Sequence, residues 1–504
     1  MSDDLKAKTI RGVGWSTVQS WSVQLISFLV YPILARLLGP DAYGLIALAG
    51  VFITLLDIFL DVSFGAAIEQ RKDLAPQHIN AVFWAFLALG LVLTTISMFV
   101  APTVAVFLRE PDALPPIIRW FSLGFLLQMV CGVQASLLRR ELRIKALTTQ
   151  ALVSVSAGAV VGIAMALIGF GVWALVFRVL VSRVVAVIML WRLSSWRPQW
   201  EFSRRHFNDV AGFGLAVMGN RMLNYLNQHL DQFLVGRYLG TLALGLYDSA
   251  HRLMSLATNL LIGSYSQVAM PAFAKLQDDR PRFRAAFNKA CRFITLVAFP
   301  AFVGLYALAE ELIVTIIGEQ WQDSAPVLRL LSLAGIIQAI QYVNGAAMMA
   351  VGRANLRLAL LAIHSTGNVI GFLLAYRHGI VAVAAAYTIR AYALAPLDTW
   401  LNCRLGAVDF RGLLRAVRAQ AVAAGLMALV LAYLRAEVLA AWPAPAVVAC
   451  GLPVGGATYV LACLIFDRRL AGESRDLFAL FFTRPKPPAG NDSESCNQRD
   501  PFEP

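Results

Sequence analysis

The sequence predicts an all-α polytopic membrane protein with about fourteen transmembrane helices, built as two six-helix lobes related by a parallel repeat and followed by two C-terminal helices. Three observations lead to this prediction: an apolar composition, a regular series of spans and a long internal repeat. Of the 504 residues, 59% are hydrophobic and only 14% are charged, whereas a soluble domain has about 25% charged residues. So little polar sequence cannot cover several soluble cores, and a membrane protein follows.

Windows of about 20 apolar residues, bounded by charge, proline or glycine, recur along the chain, and each is long enough to cross a bilayer. The first is too long for a signal-peptide core of about 7 to 15 residues, and no small-residue cleavage site follows it, so we expect it to be retained. The predicted spans are fourteen segments, at 12–38, 43–68, 79–107, 117–138, 148–168, 171–192, 209–238, 243–273, 290–309, 325–351, 356–377, 379–402, 414–434 and 446–466.

Lysine and arginine are distributed unequally between the two sides of these spans. If the N-terminus is cytoplasmic, the cytoplasmic stretches carry 31 of them and the opposite side carries six. Such a split is a strong positive-inside signal, because one span too many or too few would scramble every later loop. We therefore predict that both termini lie in the cytoplasm. The net charge of +13 is then mostly a consequence of topology. It gives no reason to expect nucleic-acid binding, which would gather basic residues on one soluble surface.

The internal repeat joins the two halves of the chain. The segments ARLLGPDAYGLIALA (35–49) and GRYLGTLALGLYDSA (236–250) match without a gap, with Arg36 over Arg237, Gly39 over Gly240 and Gly44 over Gly245. Both copies lie at predicted outer junctions, so the halves have the same orientation, and parallel repeats of this kind leave a site between them. The predicted lobes are 1–200 and 201–405, followed by spans 13 and 14 in 406–470 and a largely disordered cytoplasmic tail in 471–504.

Polar stripes follow the first span of each half. Ser16, Ser20, Gln24, Ser27 and Tyr31 share one helical face of span 1, and Asn220, Asn224, Asn227 and Asp231 share one face of span 7, with Arg221 beside them. Polar side chains are costly in hydrocarbon, so these stripes predict a central, water-filled cavity lined by both halves. The alternative is that they only hydrogen-bond neighbouring helices.

Guanidinium groups bind phosphate and carboxylate through paired hydrogen bonds, so arginines in this cavity predict an anionic substrate, with phosphate as the first choice. Arg36 and Arg237 could instead close the loop turns at Gly39 and Gly240. For Arg178, Arg183, Arg329 and Arg390 we favour internal pairing or extension to the membrane surface. The predicted substrate-binding residues are Arg221, Arg252, Arg237, Arg36, Asn224 and Asn227.

Carboxylates within the spans could carry protons or a cation during transport, or they could neutralise the arginines. The candidates for ion coupling are Asp57, Asp61 and Asp231, and Asp398 shares the same pattern. We predict no catalytic residue, no metal ion and no cofactor. No G-x-x-x-x-G-K-[ST] motif for nucleotide occurs, so energy would come from an ion gradient or from trapping of the product outside.

Residues 224–278, together with LDVSFGAAIEQRKDL (60–74) and INAVFWA (79–85), resemble the polysaccharide transport family of the multidrug/oligosaccharidyl-lipid/polysaccharide exporter superfamily, closest to the O-antigen and colanic-acid flippases. The resemblance implies an inner-membrane protein that moves undecaprenyl-pyrophosphate-linked oligosaccharide outward by alternating access through a cationic cavity. It carries over Asn224, Asp231, Arg237 and Gly240 in span 7 and Asp61 in span 2. His229, where the family more often has Asn, and Ser63-Phe64, in place of a glycine-rich pair, depart from its pattern.

The predicted function is therefore transport and not catalysis. The predicted partners are a lipid-linked oligosaccharide, membrane lipid and, as candidates, the polysaccharide polymerase and chain-length machinery. One alternative is a cation-coupled multidrug-type exporter of the same superfamily, which should prefer an acidic cavity. A second alternative is a membrane polysaccharide polymerase or ligase, which should carry a large outer loop with clustered arginine and histidine.

Overall fold

The computed structural model describes residues 3–60, 68, 75–200, 204–259, 272–406 and 408–466, with side chains throughout except those of 3–13, 59–60 and 204–228. These ranges are helical and contain no strand. The α-helices are α1 (Asp3–Leu60), α2 (Pro76–Phe107), α3 (Leu114–Arg140), α4 (Ile144–Leu167), α5 (Trp173–Leu193), α6 (Arg204–Thr258), α7 (Arg280–Ala307), α8 (Ala309–Ile316), α9 (Ala325–Ala350), α10 (Ala354–Ala375), α11 (Ile380–Arg404), α12 (Phe410–Tyr433) and α13 (Ala444–Phe466).

Local sequence signals set the starts of several helices. Proline stands in the first turn of α2, α3, α7 and α9, where its missing N–H leaves no intrahelical hydrogen bond unmade. The Asp279 carboxylate accepts a hydrogen bond from the Arg282 N–H at 3.1 Å, and Asp409 accepts one from the Gly412 N–H at 3.0 Å. These two caps satisfy N–H groups that the first turns of α7 and α12 would otherwise leave free.

The two longest helices, α1 and α6, double back at a glycine. Gly39 (φ 75°, ψ 173°) and Gly240 (φ 89°, ψ 179°) have the same non-helical backbone conformation, which favours glycine because φ is positive. The Tyr43 hydroxyl lies 3.4 Å from the Tyr31 carbonyl oxygen, although twelve residues of straight helix would separate them by about 18 Å. Each of these helices is therefore a hairpin of two limbs.

The hairpins cross each other at a second pair of repeated glycines. A Cβ added at Gly44 would lie 1.8 Å from the Thr241 carbonyl oxygen, and a Cβ added at Gly245 would lie 2.0 Å from the Pro40 carbonyl oxygen. The two contacts are equivalent under the repeat, because Gly44 matches Gly245 and Pro40 matches Thr241. The duplicated phrase thus builds a self-complementary contact between the lobes, as a two-fold axis requires. We call this contact the glycine crossing.

The span count agrees with the sequence prediction. Eleven helices in the described part of the chain are long and apolar enough to cross a membrane, and the first of these is the α1 hairpin. The α6 hairpin is not among these eleven; its two limbs, the two limbs of α1 and the ten single helices together correspond to the fourteen spans that the sequence predicts. The chain is therefore a multi-pass membrane protein. The exact lobe boundaries and the cytoplasmic placement of the termini stay predictions, and the predicted tail lies outside the described residues.

The last two helices pack on one side of the C-terminal lobe. Met427 and Leu431 of α12 and Tyr459 of α13 bury against Phe299 and Val303 of α7. At one end, an ionic cluster adds to this contact: Arg435, just after α12, donates to Glu310 and to Glu311 of α8, each at 2.6 Å. The last two helices are thus attached to the C-terminal lobe by apolar packing and by these ion pairs.

Candidate functional site

A cavity of about 520 Å³ lies between the two lobes. Its walls come from both limbs of α1, from α4 and α5, and from both limbs of α6. Polar residues from each lobe face it, and the three arginines stand out because they bring positive charge into the membrane-spanning part of the molecule. The polar lining residues are Ser27, Tyr43, Thr54, Arg178, Ser182, Arg183, His229, Gln232, Asp248 and Arg252.

Arg252 is held at the cavity wall by contacts from both lobes. Its guanidinium donates to the Asp248 carboxylate at 3.1 Å and lies 5.1 Å from the centre of the Tyr31 ring. The other Asp248 oxygen accepts from Gln232 at 2.9 Å, and Gln232 in turn contacts His229 at 2.8 Å. Since the Arg252 side chain is still 47% exposed, it retains hydrogen-bonding capacity toward the cavity. The structure thus places Arg252 on the cavity wall, and its role in substrate binding stays a prediction.

Arg178 and Arg183 of α5 form the opposite wall. Arg183 lies 3.5 Å from the Asp57 carboxylate, so the expected internal pairing is found for this residue. Arg178 has neither an ion pair nor a hydrogen bond within the part of the chain that the structure describes, and it faces the cavity. The internal pairing that we favoured for Arg178 is therefore not found among the described residues. The three guanidinium groups share the lining with one carboxylate, that of Asp248.

Two of the predicted coupling carboxylates, Asp57 and Asp231, lie behind this lining and not on it. Asp57 approaches the cavity only through Arg183, and its Oδ1 has no partner among the described side chains. Asp231 is buried between the limbs of α6, where the Tyr247 hydroxyl donates to its Oδ2 at 2.9 Å. Asp61 lies outside the described residues. Whether any of these groups couples transport to an ion stays a prediction.

Arg36 and Arg237 do not line the cavity. Arg36 is exposed and donates to the Thr315 carbonyl oxygen in α8. Arg237 lies 5.2 Å from the Phe107 ring centre and 5.4 Å from that of Tyr238. Both arginines stand close to the turn glycines, so they reach neighbouring elements at that end of the molecule and are directed away from the cavity. The other three predicted binding residues, Arg221, Asn224 and Asn227, lie on α6 where side chains are not described.

A second set of contacts closes the end of the molecule at the glycine crossing. Trp321 donates from its indole nitrogen to the Ala35 carbonyl oxygen at 3.1 Å, and its ring packs edge-on against Tyr43 at 5.5 Å. Gln320 donates to the carbonyl oxygens of Ala35 and Arg36 at 2.9 and 3.0 Å. Together with the crossing, these contacts join the lobes at the end that the charge distribution predicts to be outer. This end is closed in the structure.

Sequence reasoning missed the contribution of α5 to the cavity. Arg178 and Ser182 fall at i and i+4, which places them on one helical face, and this spacing was the available signal. Asp248 was not among the predicted site residues, although its spacing of four from Arg252 predicts contact.

The comparisons with known proteins agree with the fold and the paired lobes. The model of the polysaccharide biosynthesis protein family matches residues 33–326, which include both glycine hairpin turns, the cavity arginines and Trp321. The chain belongs to this family. The match spans more than half of the chain, and it confirms the resemblance stated from the sequence.

Two known proteins are similar to this chain over most of their length. The chain is 28% identical over 485 residues to the succinoglycan biosynthesis transport protein ExoT of Rhizobium meliloti (strain 1021), covering 95% of this chain and 97% of that protein. It is 26% identical over 361 residues to the lipopolysaccharide biosynthesis protein WzxC of Escherichia coli (strain K12), covering 70% and 72%.

A solved structure has the same fold. The lipid II flippase MurJ in an inward closed conformation superposes with a TM-score of 0.73 at 15% sequence identity, covering 91% of this chain and all of that chain. This polysaccharide biosynthesis family member therefore has the architecture of a two-lobed membrane transporter.

Proposed function

We propose that this protein is a flippase that moves undecaprenyl-pyrophosphate-linked oligosaccharide across the bacterial inner membrane by alternating access. The diphosphate would bind in the cavity between the lobes while the polyprenyl chain stays in lipid. The similarity to a transport protein for succinoglycan and to a fold shared with a lipid II flippase supports a transporter acting in polysaccharide biosynthesis. It also supports a non-enzymatic role.

The observation that carries the proposal is the placement of Arg178, Arg183 and Arg252 around one cavity, where Asp248 is the single carboxylate among the described lining residues. A volume of about 520 Å³ is within the range of roughly 300–1,000 Å³ that small-ligand pockets have. Guanidinium groups match the oxygen geometry of phosphate, and burying a dianion without such partners would cost far more than a membrane helix can offset.

The roles of the three arginines differ in the proposed binding mode. Arg178 has no competing carboxylate among the described residues and would contact the diphosphate first. Arg252 and Arg183 are each tied to an aspartate, at 3.1 and 3.5 Å, and these pairs hold the guanidinium groups in place while leaving donors free. Asn224, Asn227 and Arg221 remain candidate contacts on α6.

The cation-coupled multidrug exporter of the same superfamily is the nearer rival, and its cavity should be acidic where this one is basic. A polymerase or ligase is the rival from another class. The proposal also includes cytoplasmic termini, an inner-membrane location, and the polymerase and chain-length machinery as partners of the exported product.

The test measures lipid-linked repeat units in a deletion strain complemented with wild type, Arg178→Gln, Arg252→Gln or Arg377→Gln. Arg377 is exposed and follows Tyr376, whose ring centre lies 4.6 Å from that of Tyr238, so it lies outside the cavity lining and serves as the matched arginine control. Loss of one charged hydrogen-bond partner costs about 1.5–3 kcal/mol, so we expect flipping to slow roughly 10- to 100-fold in the cavity variants. Repeat units should then accumulate on the cytoplasmic leaflet.

Membrane abundance is measured for every variant, and only variants at wild-type abundance are compared. If the cavity variants flip as fast as wild type and Arg377→Gln, the arginine cavity is not the binding site. If deletion leaves repeat units on the outer leaflet that fail to polymerise, the protein is a polymerase or ligase and the flippase proposal fails.

A further inference from the structure

A buried ionic triad lies in the C-terminal lobe, among helices that do not line the cavity. His364 of α10 lies 2.9 Å through its Nε2 from the Asp398 carboxylate of α11, and its Nδ1 lies 2.6 Å from the Arg390 guanidinium of α11. The Asp398 side chain is 2% exposed and that of His364 is 19% exposed. The sequence suggested Asp398 as a coupling carboxylate, but nothing in it pointed to His364.

The hydrogen bonds fix the protonation state of the histidine. Arginine can only donate, so Nδ1 of His364 accepts from Arg390 and carries no proton. Nε2 then carries the single ring proton and donates it to Asp398. The imidazole is neutral, and the triad holds one positive and one negative charge. A proton added at Nδ1 would make the net charge positive and would leave the Arg390 donor without its acceptor.

The triad is not fully satisfied as a packing network. Asp398 Oδ1 and Arg390 Nε are buried and have no hydrogen-bond partner among the described residues. A buried polar group without a partner costs about 1–3 kcal/mol, so a network kept only to hold helices together would be expected to satisfy both. Asp398 Oδ1 is therefore an acceptor still available to a donor that a proton on Nδ1 of His364 would displace.

Arg390 also contacts an aromatic ring in this position. Its guanidinium lies 5.0 Å from the ring centre of Tyr387, whose hydroxyl accepts from Gln338 of α9 at 2.9 Å. The aliphatic part of Arg390 passes Gly367, where an added Cβ would lie 3.3 Å from it. When its acceptor is protonated, the guanidinium can shift along the Tyr387 face, and the packing between α9, α10 and α11 changes with it.

Ionisable groups of the neighbouring helices are engaged elsewhere or lie at the surface. Asp231 of α6 accepts from Tyr247, Arg329 of α9 pairs with Glu310, Arg357 of α10 packs against Gly345, and Tyr342 of α9 is 46% exposed. Among the described side chains, the charges in direct contact with His364 are therefore those of Asp398 and Arg390.

We propose that His364, with Asp398 and Arg390, forms a proton-binding site that couples the transport cycle to a proton gradient. The proton comes from water on one side of the membrane, binds Nδ1 of His364, displaces Arg390 and is released to the other side when the lobes have moved. This inference rests on the proposed function, because a bound proton can be coupled to substrate movement only if the protein is a transporter.

The test uses purified protein in proteoliposomes with a fluorescent polyprenyl diphosphate-linked disaccharide as the probe and an imposed pH gradient of one unit. The readout is the equilibrium distribution of the probe between leaflets, which a purely structural role would not change. For one coupled proton the wild type should reach a distribution of about ten to one. His364→Gln should flip the probe but distribute it evenly, because glutamine keeps both hydrogen bonds and cannot titrate.

Ser365→Ala is the matched control. Its hydroxyl bonds only within α10, to the Leu361 carbonyl oxygen at 2.7 Å, so this variant should behave as wild type. An uneven distribution in His364→Gln overturns the proposal, and so does a wild type that flips the probe but distributes it evenly.

A wild-type protein that flips no probe would contradict the proposed function. In that case, proton binding by the triad is tested by a measurement that needs no substrate. The thermal unfolding temperature is compared between pH 7.5 and 5.5. A pH-dependent change in wild type that His364→Gln lacks supports the proton-binding site, and the same change in both proteins overturns it.

Discussion

Substitution of Gly44 by alanine should open the end of the molecule that the glycine crossing closes. The added Cβ would lie 1.8 Å from the Thr241 carbonyl oxygen, whereas carbon and oxygen in contact keep roughly 3.3 Å. The backbones of α1 and α6 must therefore separate by about 1.5 Å at this point. A neighbouring side chain could move aside, but the opposing atom belongs to the backbone.

Overpacking of this kind costs about 1–3 kcal/mol. The cost falls on the state in which the crossing is closed, so the ratio of closed to open molecules should fall roughly 5- to 150-fold. The opposite state, with the lobes apart at this end, has no such contact and should become more populated.

The assay is labelling of a cavity cysteine, Ser182→Cys in a cysteine-free background, by a membrane-impermeant thiol reagent added from the outside. Labelling should be faster in Gly44→Ala than in the parent. Gly14→Ala is the matched control, because it lies on the same helix and no atom lies within 4 Å of its added Cβ. Equal labelling rates in Gly44→Ala and the parent, at equal abundance, would refute the closed crossing.

Two further outcomes concern stability. Arg435, which donates a hydrogen bond to Glu310, holds the pKa of that carboxyl below its usual range. The contribution of ionised Glu310 to stability is therefore present at neutral pH and is lost as the pH falls through the lowered pKa. Glu310→Gln should lower the unfolding temperature at pH 7 and differ less from wild type near pH 3. Tyr247→Phe removes the hydroxyl that donates to buried Asp231 and should lower the free energy of unfolding by about 1–3 kcal/mol, measured by denaturation. Tyr433→Phe is the control, because that side chain is 64% exposed, and it should leave the free energy of unfolding unchanged.

The fold could be predicted because the membrane restricts it. Apolar windows of fixed length and the asymmetry of basic loops determine the spans, and each predicted span coincides with a helix or a limb of a hairpin in the described ranges. The repeat predicted related halves, but not that Gly44 and Gly245 contact the opposite copy. That contact depends on where two helices cross in space, and a single helix does not contain this information.

The site was less predictable for a related reason. Arg252 was predicted from the sequence as an arginine within a span, and the structure places it on the cavity wall. The same reasoning could not distinguish Arg178, which faces the cavity, from Arg390, which faces His364 in the lobe interior. Both are arginines in apolar spans, and only the packing of neighbouring helices decides what each one faces. Arg36 and Arg237 were predicted from their repeated position, which reflects the hairpin turn.

The division of the cavity arginines between the lobes gives the proposed substrate a way to drive the conformational change. Arg178 and Arg183 belong to α5 in the N-terminal lobe, and Arg252 belongs to α6 in the C-terminal lobe. A ligand shifts an equilibrium only by its difference in affinity for the two states. A diphosphate that contacts guanidinium groups of both lobes would gain or lose contacts as the lobes rock, whereas an anion held by one lobe alone would move with it and bias neither state. Binding across the interface is therefore the arrangement that lets the cargo select the direction of movement.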